Sequence, residues 1–255
     1  MQQQSGIHKT FLEIHSGLSA LLVEKSKYDG MWVSSLTHSA TKGLPDNELV
    51  SLKERVELVE DIKRITTKPI IVDVDTIGGL EHIPFYAKAF ETAGAYAIVI
   101  EDKKYPKQNS LLADTKHQLE DVDIFCEKIK LCKQNSKEMK VIARLESLIA
   151  KHSIEEALIR AEAYVKAGAD MILIHSKQKI ECTEVMEFAK RFRQISQIPL
   201  VAIPTTYILP EDHPFEIIIT ANHLLRASLK AMQKFIAGEK VELASVEDIF
   251  GIVGH

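Results

Sequence analysis

The chain has 255 residues, 45% of them hydrophobic, enough to bury a full core in one large domain. Its formal net charge of −4 gives no basic footprint, which excludes nucleic acid and anionic membrane surfaces as partners. Cys126, Cys132 and Cys182 have no Cys-x-x-Cys spacing, so they read as reduced structural thiols rather than as a disulfide framework or zinc site.

The first residues, Met1-Gln2-Gln3-Gln4-Ser5-Gly6, lack a basic segment followed by an apolar core. No apolar run approaches the ~20 residues that span a bilayer, so a soluble cytoplasmic protein is expected. Short β-rich runs then follow in order: Thr10 to Ile14, Met31 to Val33, Ile70 to Val74, Ala97 to Ile100, Val141 to Ala143, Met171 to Ile174, Leu200 to Ile203, and Ile217 to Thr220. Helical periodicity fills the intervals, as in Ser51 to Ile65 with Leu52, Val56, Val59 and Ile62, and in Ile154 to Ala167 with Ala157, Leu158, Ala161 and Tyr164. Ala93-Gly94-Ala95 and Ala167-Gly168-Ala169 each close a helix just before a strand, where glycine accepts the left-handed cap.

This alternation predicts a parallel sheet closed into a (β/α)₈ barrel of the TIM type, with residues 1–255 as one domain. A doubly wound open sheet would show the same alternation. The longest polar connections run from Trp32 to about Glu48 and from Glu101 to about Asp121. Both leave the barrel end where active sites lie.

Charged residues stand at corresponding strand ends. Asp73 and Asp75 follow Ile70-Ile71-Val72, Glu101 and Asp102 follow Ile98-Val99-Ile100, Arg144 follows Ala143, and His175 follows Ile174. On a regular strand Asp73 and Asp75 would share a face, and paired carboxylates suit Mg²⁺. The alternative is a capping turn before a helix beginning near Glu81. Four acids at one rim would repel one another unless a cation or buried base compensated them. A partly buried Arg144 needs an anion, either substrate or a structural partner such as Glu146. His175 read alone is more often a satisfied structural residue than a catalyst, and Lys107 and Asn109 read alone are solvated loop residues.

Taken together, Asp73-x-Asp75-Thr76, Glu101-Asp102-Lys103-x-x-Pro106-Lys107-x-Asn109-Ser110, Ala143-Arg144-x-Glu146 and His175-Ser176-Lys177 resemble the phosphoenolpyruvate mutase branch of the isocitrate lyase superfamily. Trp32-x-Ser34-x-Leu36, Gly43-x-x-Asp46, Pro204-Thr205 and Asn222-His223-x-x-Arg226-Ala227 extend the resemblance over nearly the whole chain. It implies a small-molecule substrate and interconversion of phosphoenolpyruvate and phosphonopyruvate with Mg²⁺, or Mn²⁺ in its place. Asp73 would anchor the metal, with Asp75 and Glu101 holding its waters. Trp32, Ser34, Ser35 and Leu36 would surround the substrate carboxylate, Ser34 and Leu36 through their main-chain N–H groups. Arg144 and His175 would hold the phosphoryl group together with Asn109 and Ser110, on a gating loop at about residues 102–120 that also carries Lys107. Asp46 would act by positioning or electrostatics. The resemblance further implies a homotetramer, or dimer of dimers, with a C-terminal helix exchanged between subunits and Leu224, Leu225, Ala227, Leu229 and Ala231 on its apolar part.

Two departures stand out. Ile77-Gly78-Gly79 replaces the family's Gly-aromatic-Gly, so the turn is expected to take a different backbone path, and Ser35 replaces a glycine. Phosphonopyruvate hydrolase is the nearest alternative, although its loop usually carries Thr where Asn109 stands. Carbon–carbon lyases of the superfamily use a loop cysteine, and residues 102–120 contain none. A catalytically weak binding homologue is the remaining reading.

Overall fold

Each strand is an apolar run because both of its faces are covered, by the barrel interior on one side and by helices on the other. The computed structural model describes residues 8–112 and 115–254. The amino-terminal stretch of residues 1–6 read above, and residues 113 and 114 of the expected gating loop, lie outside the described residues.

In chain order the elements are β1 (Lys9–Ile14), α1 (Gly17–Glu24), β2 (Gly30–Val33), α2 (Ser35–Thr41), α3 (Leu52–Lys63), β3 (Ile70–Asp73), α4 (Ile83–Ala93), β4 (Ala97–Glu101) and α5 (Val122–Asn135). They continue with β5 (Lys140–Leu145), α6 (Ile154–Ala167), β6 (Met171–Ile174), α7 (Thr183–Phe192), β7 (Leu200–Ala202), β8 (Ile217–Thr220), α8 (His223–Ile236) and α9 (Val246–Val253). The strands pair in parallel as a closed barrel in the order β1 to β8, with β8 returning to β1. This is the TIM-type architecture, and closure removes the open-sheet alternative. Among the described residues no helix is long and apolar enough to cross a membrane.

Residue parity sorts the side chains. Trp32, Ile71, Ala97, Val99, Ile142, Met171 and Leu173 fill the barrel interior as one cluster. Their neighbours Met31, Val33, Ile70, Val72, Ile98, Ile100, Val141, Ala143 and Ile172 pack outward in the cluster beneath the helices. Successive side chains on a strand alternate faces, so Ser34, Asp73, Glu101, Arg144 and His175 share the inward parity at the carboxyl ends of their strands.

Local chemistry holds the helices in place. Ser51 and Glu54 form a reciprocal capping box that starts α3, and Gly94 and Gly168 close α4 and α6 with φ of 93° and 107°. The helix expected near Glu81 begins instead at Ile83, with a proline in its first turn. The connection after Trp32 is not simply a polar loop, because Ser34 caps the two-turn helix α2 within it.

Candidate active site

A narrow cleft of about 50 Å³ opens at the carboxyl end of the barrel. Trp32, Ser34, Ser35, Leu36, Asp46, Asp73, Lys107, Asn109, Ser110, Arg144 and His175 line it, together with Thr205 and Asn222. Every expected site residue is therefore at the cleft except Asp75 and Glu101, which lie beneath its surface at 1% and 0% exposure.

The carboxylates differ in their surroundings. Asp73, the last residue of β3, accepts from the Ser35 hydroxyl at 3.1 Å and from Arg144 Nη1 at 3.4 Å through Oδ2, while its Oδ1 accepts from the Asp75 amide at 3.1 Å. The expectation that Asp73 and Asp75 share a strand face is corrected: β3 ends at Asp73, and Asp75 sits in the following turn with φ of 51°. Its carboxylate is bound by Arg55 and lies 3.0 Å from Lys107 Nζ. Burial pushes Asp75 up, but Arg55 and Lys107 outweigh it and hold the carboxyl below its ordinary range. Asp102 does not join the rim. Its parity turns it outward, where it accepts from the Glu146 amide at 2.8 Å and from the Tyr164 hydroxyl at 2.8 Å, with Arg160 Nη1 at 3.4 Å.

Glu101 is the least satisfied acid. It is fully buried, neither oxygen accepts a hydrogen bond, and the nearest cations stand at 3.4 Å (Arg144 Nη2) and 4.0 Å (Lys103 Nζ). Burial pushes its carboxyl up to about 8, against the pull of Lys103, Lys107 and Arg144. A buried carboxylate with orphaned oxygens is the setting a cation would relieve. Among the described residues no three His, Cys, Asp or Glu side chains converge as a ready cage. An ion such as Mg²⁺ keeps several waters and needs only one or two direct carboxylates. The residues present fit such an ion, with Asp73 at the cleft and Asp75 and Glu101 behind it.

The two readings of Arg144 hold at once. Its Nε donates to Glu146 Oε1 at 2.6 Å, while Nη2 reaches Ser110 Oγ at 3.1 Å and His175 Nδ1 at 2.9 Å, and the residue lines the cleft. Glu146 organises this side: it also contacts His175 Nδ1 at 2.8 Å, Lys103 Nζ at 3.0 Å and Ser110 Oγ at 2.6 Å. Burial opposes its charge, but Arg144, Lys103 and His175 hold its carboxyl well below the usual range. Burial and the Arg144 charge both push the His175 imidazole down, which favours the neutral ring.

The loop after β4 lies over the cleft. Lys107 is no solvated surface residue: it is buried, and its Nζ contacts Asp46 Oδ2 at 2.8 Å. Asn109 Nδ2 donates to the same oxygen at 2.6 Å, and the Lys107 amide donates to Glu48 at 2.7 Å. Lys103 Nζ secures the loop from beneath by donating to the Gln108 carbonyl at 3.0 Å.

Ile77 adopts φ of 56°, the left-handed region natural to glycine and costly for a β-branched residue. The side chain is fully buried in the core beneath the helices, and this burial offsets the backbone cost.

Sequence reasoning passed over Arg55, Glu48, Lys103 and the Tyr164–Arg160 pair. A signal was present for Arg55, which interrupts the stripe Leu52, Val56, Val59, Ile62 at a position facing the core. A guanidinium there requires a buried anion.

The phosphoenolpyruvate phosphomutase family profile matches residues 3–238. The chain belongs to this family. A phosphoenolpyruvate phosphomutase of Tetrahymena pyriformis is 36% identical over 96% of this chain and 86% of its own length. A phosphonopyruvate hydrolase of Variovorax sp. is 35% identical over 91% of this chain and 82% of its own. The crystal structure of a phosphoenolpyruvate phosphomutase from Streptomyces platensis subsp. rosaceus superposes with a TM-score of 0.90 at 30% identity, covering 97% of this chain and 91% of that one. A phosphonopyruvate hydrolase in complex with oxalate and Mg²⁺ superposes with a TM-score of 0.84 at 32% identity, covering 96% and 90%. The protein is thus an enzyme of the phosphomutase family on a TIM-type barrel.

Proposed function

We propose that the enzyme is a Mg²⁺-dependent phosphoenolpyruvate mutase that moves a phosphoryl group within one molecule, breaking its bond to the enolate oxygen and forming one to the methylene carbon. The observation carrying this reading is the closed loop, in which the Asn109 amide and the Lys107 ammonium meet Asp46 over a cleft walled by Arg144, His175 and Asp73.

Bound at Asp73, with Asp75 and Glu101 behind it, Mg²⁺ would supply positive charge to the substrate oxygens. The chain's own groups do the rest. Ser34, Ser35 and Leu36, at the amino-terminal end of α2, line the cleft beside Trp32, where the unpaired N–H groups of a helix start would serve as donors for the substrate carboxylate. Arg144, held by Glu146, offers its fork to the phosphoryl oxygens. His175, its Nδ1 held between Arg144 Nη2 and Glu146 Oε1, and Ser110 stand beside this fork. A loose phosphoryl-transfer transition state needs these charges and an enclosure that keeps water away. Asn109 is the lid residue best placed to follow the phosphoryl group, because its amide already points into the cleft. Asp46 gathers Lys107 and Asn109, so its part is to position the closed lid.

A second reading is phosphonopyruvate hydrolysis, favoured by the near-equal identity to the Variovorax sp. hydrolase. The two separate by ³¹P NMR of the purified protein with phosphonopyruvate and Mg²⁺. The expected product is phosphoenolpyruvate, whereas free phosphate would establish hydrolysis and overturn the mutase reading. The fold also supports association into a homotetramer or dimer of dimers through α8, none of whose residues is buried. Cys126, Cys132 and Cys182, all free, suit a cytoplasmic setting.

A further inference from the structure

Arg55 is a fully buried arginine that does not line the substrate cleft and is not among the groups assigned above to substrate or lid. It projects from α3 to the turn after β3. Its Nη1 donates to the Asp73 carbonyl at 2.6 Å, and its Nη2 donates to Asp75 Oδ2. One planar fork therefore spans the two acidic residues of that turn, holding the main chain of one and the side chain of the other. Asp75 needs this restraint because it sits at φ of 51°, a conformation that is costly for a residue with a Cβ. On its other side the Asp75 carboxylate meets Lys107, which belongs to the loop over the cleft. Were that loop to lift from the cleft for substrate to enter, Lys107 would leave Asp75. Arg55 stays, because it is part of the barrel's helix layer. A cavity of about 250 Å³ lies on this rear side, bounded by Glu48, Leu52, Arg55, Asp75 and Tyr105, so the turn has room to relax if its staple is lost.

We propose that Arg55 is a positioning residue for the divalent-metal site, pinning the Asp73–Asp75 turn so that Asp75 keeps its orientation toward the ion when the loop opens. The inference rests on the metal assignment in the proposed function. The lysine substitution isolates it, since a compact ammonium keeps the charge but cannot reach a carbonyl and a carboxylate as a fork does.

The test is Mn²⁺ binding to the metal-free protein, followed by electron paramagnetic resonance, for wild type, Arg55→Lys, Arg55→Gln and Asp73→Ala. Outer partners of metal ligands typically contribute 10- to 100-fold in affinity, so Arg55→Lys is expected to bind Mn²⁺ about 10- to 100-fold more weakly. The KM for Mg²⁺ should rise in parallel, while the KM for phosphonopyruvate at saturating Mg²⁺ stays near wild type. A merely structural role would lower the melting temperature without separating these constants. Arg55→Gln, which keeps one donor, carries the same expectation should the lysine variant fold poorly. Wild-type affinity in Arg55→Lys, or tighter binding in Arg55→Gln from simple loss of a repelling charge, overturns the proposal. Absence of Mn²⁺ binding in wild type would sink the metal assignment and this inference with it, whereas loss in Asp73→Ala alone would sink only the inference.

Discussion

Arg144 shows how one side chain can be structural and functional together. Its guanidinium faces Glu146, Asp73, Glu101, Ser110 and His175, an array that only a planar, multi-donor cation can serve. Arg144→Lys keeps the charge but cannot hold Glu146 and also present a fork to the phosphoryl group. A loss of at least ~10-fold in kcat/KM is expected, corresponding to about 1.4 kcal/mol of transition-state stabilisation. Steady-state kinetics of the variant check this, and unchanged kinetics with a lowered melting temperature would leave Arg144 with only its ion pair to Glu146. Asp73, Glu101, Arg144 and His175 were legible as one group because they share the inward parity at strand ends, whereas Asp46, Lys107, Asn109 and Ser110 stand on loops and entered only through the family resemblance. Asp102 was misplaced for the same reason in reverse: adjacent acids on a strand cannot both face the cleft. Asp75 was misread because a non-glycine residue with positive φ breaks strand geometry, and nothing local to Asp75 announces it.

Short elements carry the site as much as the strands do. α2 begins at the cleft and buries His38, where burial, then the charges of Arg55 and Lys42, hold the imidazole down to about 4. An unfolded histidine titrates near 6.5, so between those values the unfolded chain binds a proton that the native helix refuses. The sign follows: the contribution of neutral His38 is complete above about pH 6.5 and is lost as the pH falls toward 4. His38→Gln should therefore flatten the dependence of melting temperature on pH across that window. Thermal melts between pH 4 and 7.5 provide the measurement, and a variant profile parallel to wild type would show that His38 contributes nothing to acid sensitivity. Helix periodicity found the long elements, and α6 begins and ends at the residues that the pattern predicts. It could not find α2, because seven residues dominated by Ser and Thr carry no apolar stripe. It marked Arg55 only as an interruption of the α3 stripe and could not name its partners, because Asp73 and Asp75 lie on another segment.

At the scale of the molecule, the helices α8 and α9 stand apart from the rest. Every other α-helix buries several side chains, yet among the described residues neither of these buries any. Leu225, Leu229, Met232 and Ile236 recur at helical spacing along α8, and the last three are 49%, 52% and 84% exposed. Val246, Ile249, Phe250 and Val253 repeat the pattern on α9, each close to half exposed. Apolar stripes of this length on consecutive helices are larger than scattered surface hydrophobics, and they mark a surface built to be covered. The covering surface in the proposed oligomer is a second copy of the chain, with α8 laid against its neighbour. The anchor of α8 fits that use: buried Glu13 accepts from the Leu224 and Leu225 amides at 3.1 and 3.2 Å, fixing where the helix leaves the barrel while its remaining length projects outward. Substituting lysine at both Leu229 and Met232 would place two charges in that apolar contact, each needing desolvation without a partner. The paired variant should keep its barrel, as judged by circular dichroism, while its self-association weakens by at least ~10-fold, about 1.4 kcal/mol. Size-exclusion chromatography with light scattering over a range of concentrations decides the matter. A wild type that is monomeric throughout, or a variant with the mass of wild type at every concentration, would show that these stripes do not form the subunit contact.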